Sequence, residues 1–168
     1  MRKISFRNDI LPLKNQLYRL ALRITLNKED AEDIVQDTLI RVWNKRDEWE
    51  NIDSIEAYSL KICRNLALDH LKLHDNNNAS LDSGEVEEPQ TTPFERILQR
   101  DKIALVKGMI DSLPEKQRPT LQLREFEGKT YKEIALTLDI SEDQVKINIF
   151  RARQAIKQRF QKLEEYGL

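Results

Sequence analysis

One cysteine, four glycines and two histidines among 168 residues exclude several kinds of protein at once. The lone Cys63 rules out an internal disulfide and points to a reducing compartment. It sits in an apolar helical pattern and reads as a small buried side chain. Glycine is sparse and β-branched alternation is scarce, so no segment reads as a strand. No apolar run is long enough to span a bilayer and no secretory leader is evident, which predicts a cytoplasmic protein without membrane insertion. There is no Gly-rich phosphate loop, no metal-spaced His/Cys cluster and no nucleophile beside a base. His70 and His74 are four apart on one helix but lack an acidic third ligand. The expectation is therefore no enzyme, no cofactor and no metal.

Net charge is −1, so the chain as a whole is not a generic polyanion binder. The charge is unevenly placed. Residues 75–95 hold Asp75, Asp82, Glu85, Glu87, Glu88 and Glu95 with no Lys or Arg, which leaves both flanking parts net positive. That stretch is punctuated by Gly84, Pro89 and Pro93 and has too little apolar area to offset its ordering entropy. It reads as a flexible acidic linker over 76–93 between two helical domains, 1–75 and 94–168.

The pattern predicts an all-α fold with two small helical domains. Three longer helices fill the first: about 9–25, from Asn27 or Lys28 to about 45, and from Asp53 or Ser54 to about 74. Their short polar connections suit antiparallel neighbours. Four helices make the second domain. One covers roughly 94–112. Another follows Leu113-Pro114 and ends near Gly128, a residue type suited to a helix C-cap, with Pro119 delaying or kinking its start. A helix-turn-helix pair completes it.

That pair is the most specific signal. Thr130 with Glu133, and Ser141 with Gln144, form two capping boxes a short distance apart. Between them lies Leu138-Asp139-Ile140-Ser141. Asp139 stands where such turns often use Gly, and Asp tolerates a left-handed backbone better than most residues. Over 142–163, Val145, Ile149, Ala152, Ile156, Phe160 and Leu163 fall on one stripe, the expected core face. The other face carries Lys146, Ile147, Phe150, Arg151, Gln154 and Lys157. From Gln144 to Leu163 there is no acidic residue, but there are six cations: Lys146, Arg151, Arg153, Lys157, Arg159 and Lys162. Such clustering is costly unless a polyanion offsets the repulsion. The alternative is a solvated basic face on an ordinary surface helix, but such faces rarely place Phe150 and Ile147 beside cations, whereas apolar groups can touch thymine methyls. The motif therefore points to DNA in the major groove.

The first domain has two faces of opposite character. On the third helix Lys61, Arg64, Asn65, Leu68 and Lys72 share one stripe, which suits phosphate and some base contact or, equally, a solvated bundle face. On the second helix Ala31, Ile34, Val35, Thr38, Val42 and Trp43 can face the core. Asp30, Asp33, Gln36, Asp37 and Ile40 are left outside. An acidic face with an outward Ile would repel DNA and suits a basic protein partner; alternatively, Asp30 to Asp33 merely favour the helix N-terminus.

Taken together these residues resemble the extracytoplasmic-function sigma factors, a two-domain branch of the bacterial sigma-70 family, over nearly the whole chain. Asp30-Ala31-Glu32-Asp33-Ile34-Val35-Gln36-Asp37-Thr38 and Arg41-Val42-Trp43 look like the family's polymerase-clamp segment. Glu56-Ala57-Tyr58 through Lys72 looks like its minus-10 segment. Leu113-Pro114-Glu115-Lys116-Gln117-Arg118 opens a stretch similar to its fourth region. Tyr131-Lys132-Glu133-Ile134-Ala135 and 145–153 look like its minus-35 reader. The resemblance implies that Asp33, Gln36, Asp37 and Ile40 meet the clamp of core RNA polymerase. It implies that Tyr58, Lys61, Arg64, Asn65 and Lys72, with the loop 46–53, engage the minus-10 element of promoter DNA, including unstacked bases. It assigns the minus-35 duplex to Arg124, Lys146, Ile147, Phe150, Arg151 and Arg153, and it implies an anti-sigma partner. Three positions depart from the family pattern: Tyr58 stands where a Trp is frequent, Ile147 where small polar residues are common, and Pro119 is unusual inside its helix. An autonomous helix-turn-helix regulator would leave the acidic second helix unexplained. A mimic that only sequesters an anti-sigma protein would not need the basic stripe over 142–163.

Overall fold

The computed structural model describes residues 3–78 and 102–165. The expected flexible linker, and the first part of the helix expected over 94–112, fall outside the described residues. Within them every regular element is helical.

The chain enters through a π turn, Phe6–Ile10, and a 3-10 turn, Leu11–Leu13, with Pro12 in its first turn, where a missing N–H costs nothing. Helix α1 is Lys14–Thr25. It ends on Leu26 in the left-handed region (φ 58°), whose N–H donates to Leu22 O. Helix α2, Lys28–Asn44, starts on Asn27, whose side chain accepts from the Asp30 N–H at 3.0 Å. A 3-10 turn, Arg46–Asn51, leads to α3, Ile55–Asn78, where Ser54 Oγ accepts from the Ala57 N–H. α3 thus runs a turn further than the pattern suggested. These three helices pack pairwise on one another.

Leu17, Leu20, Ala21 and Ile24 of α1 are fully buried against Ala31, Ile34 and Val35 of α2 and Leu60, Cys63 and Ala67 of α3. Each large aliphatic side chain so buried contributes about 1.5–3 kcal/mol. Trp43, expected inside, is 44 % exposed. Val42 takes the core position, and the Trp43 ring lies edge-on to Phe6 and Trp49, 5.4 and 6.1 Å between centroids. The buried indole N–H is that of Trp49, which donates to Val42 O at 2.9 Å.

In the second half, α4 is Lys102–Asp111, α5 is Gln117–Leu121, α6 is Tyr131–Leu138 and α7 is Glu142–Glu165. Pro119 falls in the first turn of α5, so it starts the helix rather than breaking it. α5 runs into a π turn, Gln122–Phe126, and Gly128 reverses the chain at φ +67°. Ile110, Leu113, Leu121 and Ala152 form a small core of their own.

The two halves are not independent. Leu123, Ile134, Leu138, Val145 and Ile149 join α1–α3 in one buried cluster, and the principal seams are α3 against α6 and α1 against α5.

Candidate nucleic-acid interface

Both capping boxes form. Thr130 Oγ1 accepts from the Glu133 N–H at 3.1 Å and Glu133 Oε1 accepts from the Thr130 N–H at 3.1 Å. The Thr130 N–H donated to it, with the Thr130 hydroxyl beside it, holds the Glu133 carboxyl below its ordinary value. Ser141 and Gln144 repeat the arrangement at 3.1 and 3.0 Å. Between them Asp139 is left-handed (φ 59°), and the Ile140 N–H reaches back to Ala135 O at 3.1 Å, the bond that closes a helix C-terminus around such a residue. The left-handed Asp139, the Ile140 bond and the Ser141–Gln144 box therefore shape the turn between α6 and α7, while the Thr130–Glu133 box fixes the start of α6.

Val145, Ile149 and Ala152 bury one side of α7. Phe160, expected on that stripe, is 37 % exposed because the helix projects past its supporting core. Lys146, Ile147, Phe150, Arg151, Gln154 and Lys157 are all exposed. Phe150, at 63 %, is an aromatic ring held in water beside cations.

The expected arginines are not equivalent. Arg151 lines a cleft with Ile147 and Asn148 of α7 and Arg64 and Leu68 of α3. Arg153 turns back onto the π turn, its Nε donating to Glu125 Oε1 at 2.9 Å; this bond raises its pKa. It borders an apolar groove formed by Ile110, Leu121, Phe126, Ile156 and Phe160. Arg124 lies 4.5 Å over the Tyr131 ring, and its Nη1 donates to Lys129 O at 2.9 Å. It braces the start of α6 and keeps other donors of its fork unused by that carbonyl.

On α3 the expected stripe divides. Asn65 and Lys72 are exposed, and Arg64 Nη1 donates to Asn65 Oδ1 at 2.9 Å. Lys61 points at the helix-turn-helix, its Nζ 3.8 Å from Asp139 Oδ1. Leu68 is half-buried against the shared core. Tyr58 is half-buried against the Ile10, Val42 and Trp49 cluster. His70 Nε2 lies 3.1 Å from Asp30 Oδ2 and ties α3 to α2; the His74 side chain falls outside the described residues. Among the described residues no group of three or more His, Cys, Asp or Glu is placed to hold a metal, and no helix is long and apolar enough to cross a membrane.

On α2, Asp33, Gln36, Asp37 and Ile40 are all exposed, Ile40 by 57 %. They form one acidic surface with an apolar edge at Ile40. Trp43, one turn on, extends the apolar part.

Sequence reasoning missed the residues that join the two halves. Arg23 of α1 is buried, with Nε donating to Gln122 Oε1 at 2.8 Å and Nη1 to Asp111 Oδ1 at 2.6 Å. Arg118 of α5 donates to Arg23 O at 2.8 Å, Ile24 O at 3.1 Å and Leu113 O at 3.1 Å. Arg19 pairs with Glu127, and Lys129 with Glu56. The one signal for this seam was positional: Arg23 sits between Leu20 and Ile24 on the inward side of α1.

The geometry defines a class first: an all-helical protein whose second half is a capped helix-turn-helix with a basic outer face. Residues 10–76 match the family description Sigma-70 region 2, and residues 103–156 match Sigma-70, region 4. The RNA polymerase sigma-H factor of Pseudomonas aeruginosa is 30% identical over 167 residues, covering 92% of this chain and 86% of that protein. The ECF RNA polymerase sigma factor SigE of Mycolicibacterium smegmatis is 31% identical over 147 residues, covering 85% of this chain and 56% of that longer protein. In fold, the chain is similar to the sigma factor RpoE of Bartonella quintana, solved with the anti-sigma factor NepR: TM-score 0.77, 21% identity, covering 93% of this chain and 96% of that one. The chain belongs to the extracytoplasmic-function group of the sigma-70 family, transcription initiation factors that direct RNA polymerase to promoters.

Proposed function

We propose that this chain is a bipartite promoter reader with residues 1–75 and 94–168 as its two working domains and 76–93 as their tether, acting in the cytoplasm and making no bonds itself. The observation that carries the reading is the pairing of two exposed faces of opposite charge: the acidic face of α2 and the basic face of α7. DNA repels the first and attracts the second, so the first is left for protein. In this reading Asp33, Gln36, Asp37 and Ile40 bind the clamp of core RNA polymerase. Lys146, Ile147, Phe150 and Arg151, with Arg124 and Arg153 at the margin, dock α7 in the minus-35 major groove. Lys61, Arg64, Asn65 and Lys72 with the turn 46–53 engage the minus-10 element, and Tyr58 offers a ring to an unstacked base. An anti-sigma partner, such as the Bartonella relative has, fits the same surfaces.

The energetics favour dependence on polymerase. Unpairing costs a few kcal/mol per base, and stacking on an aromatic group returns about 1–3 kcal/mol. The near-balance means that one small domain melts few base pairs and needs a good sequence match. Core polymerase raises the effective concentration of each domain for its element by fixing their spacing. The test is run-off transcription from fragments of the source genome with purified chain and core polymerase. Selective transcripts support the reading. A chain that forms no complex with core and yields no transcript, yet binds duplex alone with a steep salt dependence, is an autonomous regulator instead.

A further inference from the structure

We propose that Ile147 makes this chain a reader of 5-methylpyrimidines: the recognition helix selects the methyl group of a thymine, or of a 5-methylcytosine, at the base step of the minus-35 element that Ile147 faces. The inference rests on the promoter-reading function above and assigns the chemistry of one position within it.

The placement follows from the packing of α7. Val145, Ile149 and Ala152 are the buried residues of the helix and cluster on one side of it. At about 100° per residue, Ile147 falls nearly opposite them, about 170° around the helix. The line opposite the buried side is the one that goes deepest when a helix lies in the major groove. Lys146 and Arg151 are exposed on the two flanks of that line, where phosphate backbones run. The central place between them is therefore held by a hydrocarbon, and 47 % of its surface is open. Phe150 is its exposed neighbour one turn on. Side chains three apart on a helix stand about 5–6 Å apart at Cβ, and base pairs rise by about 3.4 Å. The two apolar groups thus address neighbouring base steps, with Ile147 at the floor of the groove.

An isoleucine at that place selects partly by what it cannot do. In the major groove guanine shows the N7 and O6 acceptors, adenine an acceptor and an amino group, and cytosine an amino group; thymine sets a methyl group beside its O4 acceptor. A branched hydrocarbon pressed on N7, O6 or an amino group strips water from it and returns no hydrogen bond. Pressed on a methyl group, it buries apolar surface on both partners. The preference has an attractive and a repulsive part, the combination on which discrimination rests. Cytosine gains the same methyl group when it is modified at C5, while its amino group stays. Thymine should therefore outrank uracil, and 5-methylcytosine should outrank cytosine, each by the worth of one methyl group. Methylation of a promoter cytosine at this step then raises the use of that promoter. Ile147 also lines the cleft that holds Leu68 and Pro119. A role confined to filling that cleft would leave DNA binding indifferent to the methyl group, so the two accounts part on a single measurement.

The test uses the full chain with core polymerase on a promoter selected by run-off transcription from fragments of the source genome. Each thymine of its minus-35 element, on both strands, is replaced singly by deoxyuridine, and holoenzyme affinity is read by competition. At one position the wild type should lose about three- to fivefold, the worth of one buried methyl group. There Ile147→Ser should bind the thymine and uracil duplexes equally, a cycle that isolates the contact between this side chain and this methyl group. Ile147→Val keeps the branched hydrocarbon and should keep the discrimination, and so should Phe150→Ala. Cytosine and 5-methylcytosine at the same position separate the two sources of the methyl group. The methylated base should bind the wild type about three- to fivefold more tightly, and Ile147→Ser should not tell the two apart. Circular dichroism should show full helix content in every variant, since the position is exposed. Tolerance of uracil at every position, an element with no thymine on either strand, or a loss that persists in Ile147→Ser would each overturn the assignment. Equal binding of cytosine and 5-methylcytosine by the wild type would overturn it for the modified base. If no fragment yields a transcript, the promoter-reading function fails. The same base scan on a duplex selected by the free chain then decides the methyl reading by itself, and a free chain that selects no duplex overturns both.

Discussion

Ser141 and Gln144 cap one another at the start of α7, each side chain accepting the other's backbone N–H, at 3.1 and 3.0 Å. The pair satisfies two of the four orphan amides at the end of the helix that carries the basic face. Ser141→Ala removes one of these bonds and leaves the Gln144 N–H to water. It should lower unfolding free energy by about 1 kcal/mol, measured by urea titration at constant slope. DNA affinity should fall as well, because the first turn of α7 leads directly into Lys146 and Ile147.

Arg151 and Asp37 should separate the two activities. Arg151→Ala removes an exposed guanidinium from the cleft side of α7. Loss of one good base contact is worth about 1–3 kcal/mol. Minus-35-dependent run-off transcription should fall by about 10-fold to 100-fold, while binding to core polymerase stays at the wild-type level. Asp37→Arg reverses a charge at the centre of the acidic α2 face. It should weaken core binding by about tenfold or more and leave binding of α7 to duplex unchanged. Loss of both activities in either variant would point to misfolding or to a wrong assignment.

What was legible in the sequence was what local chemistry decides. Thr130, Ser141 and Asp139 announce two helix starts and a left-handed turn because capping acts over three or four residues. The outward Phe150 and Ile147 followed from helical periodicity alone. Trp43 did not. Its position fits the inward stripe, but the bundle is filled by Val42, and a side chain that large finds room only at the edge, against Phe6 and Trp49. The roles of Arg23 and Arg118 were hidden for a different reason. Their partners are backbone carbonyls and residues brought close only by the tertiary fold, and in sequence a buried arginine looks like an exposed one. The split of the α3 stripe, with Lys61 turned to Asp139 and Asn65 to solvent, depends on the same seam. Lys129 was likewise indistinguishable from the other surface lysines, although it meets Glu56 across that seam.

Two of the left-handed positions, Leu26 and Gly128, should respond in opposite directions. Leu26 adopts φ 58° at the end of α1 while 47 % exposed, so it bears backbone strain with little burial in return. Leu26→Gly should raise stability by up to about 1 kcal/mol through relief of that strain. Gly128, at φ +67°, has open space where a Cβ would stand, so only the backbone resists a side chain there. Gly128→Ala should cost about 1 kcal/mol, and both changes can be read from thermal melts.

Cys63 gives a pH dependence with a definite sign. The thiol is fully buried, its Sγ–H directed to Leu17 O at 3.3 Å. Burial pushes its pKa from 9.0 up to about 12. The raised value means that the folded state holds its proton where the unfolded state has lost it. The contribution to stability is therefore complete below pH 9 and declines as pH rises from 9 toward 12, with a limiting slope of about 1.4 kcal/mol per pH unit. Lysines and tyrosines also titrate in that range, so the measurement is the difference between wild type and Cys63→Ala. Cys63→Ala should lose stability at neutral pH through the small void it leaves, and that deficit should shrink as pH is raised above 9. A deficit that stays constant to pH 11 would show that the thiolate is solvated in the fold. In the same state, iodoacetamide at pH 8 should leave native Cys63 unmodified and alkylate it only once the chain is unfolded.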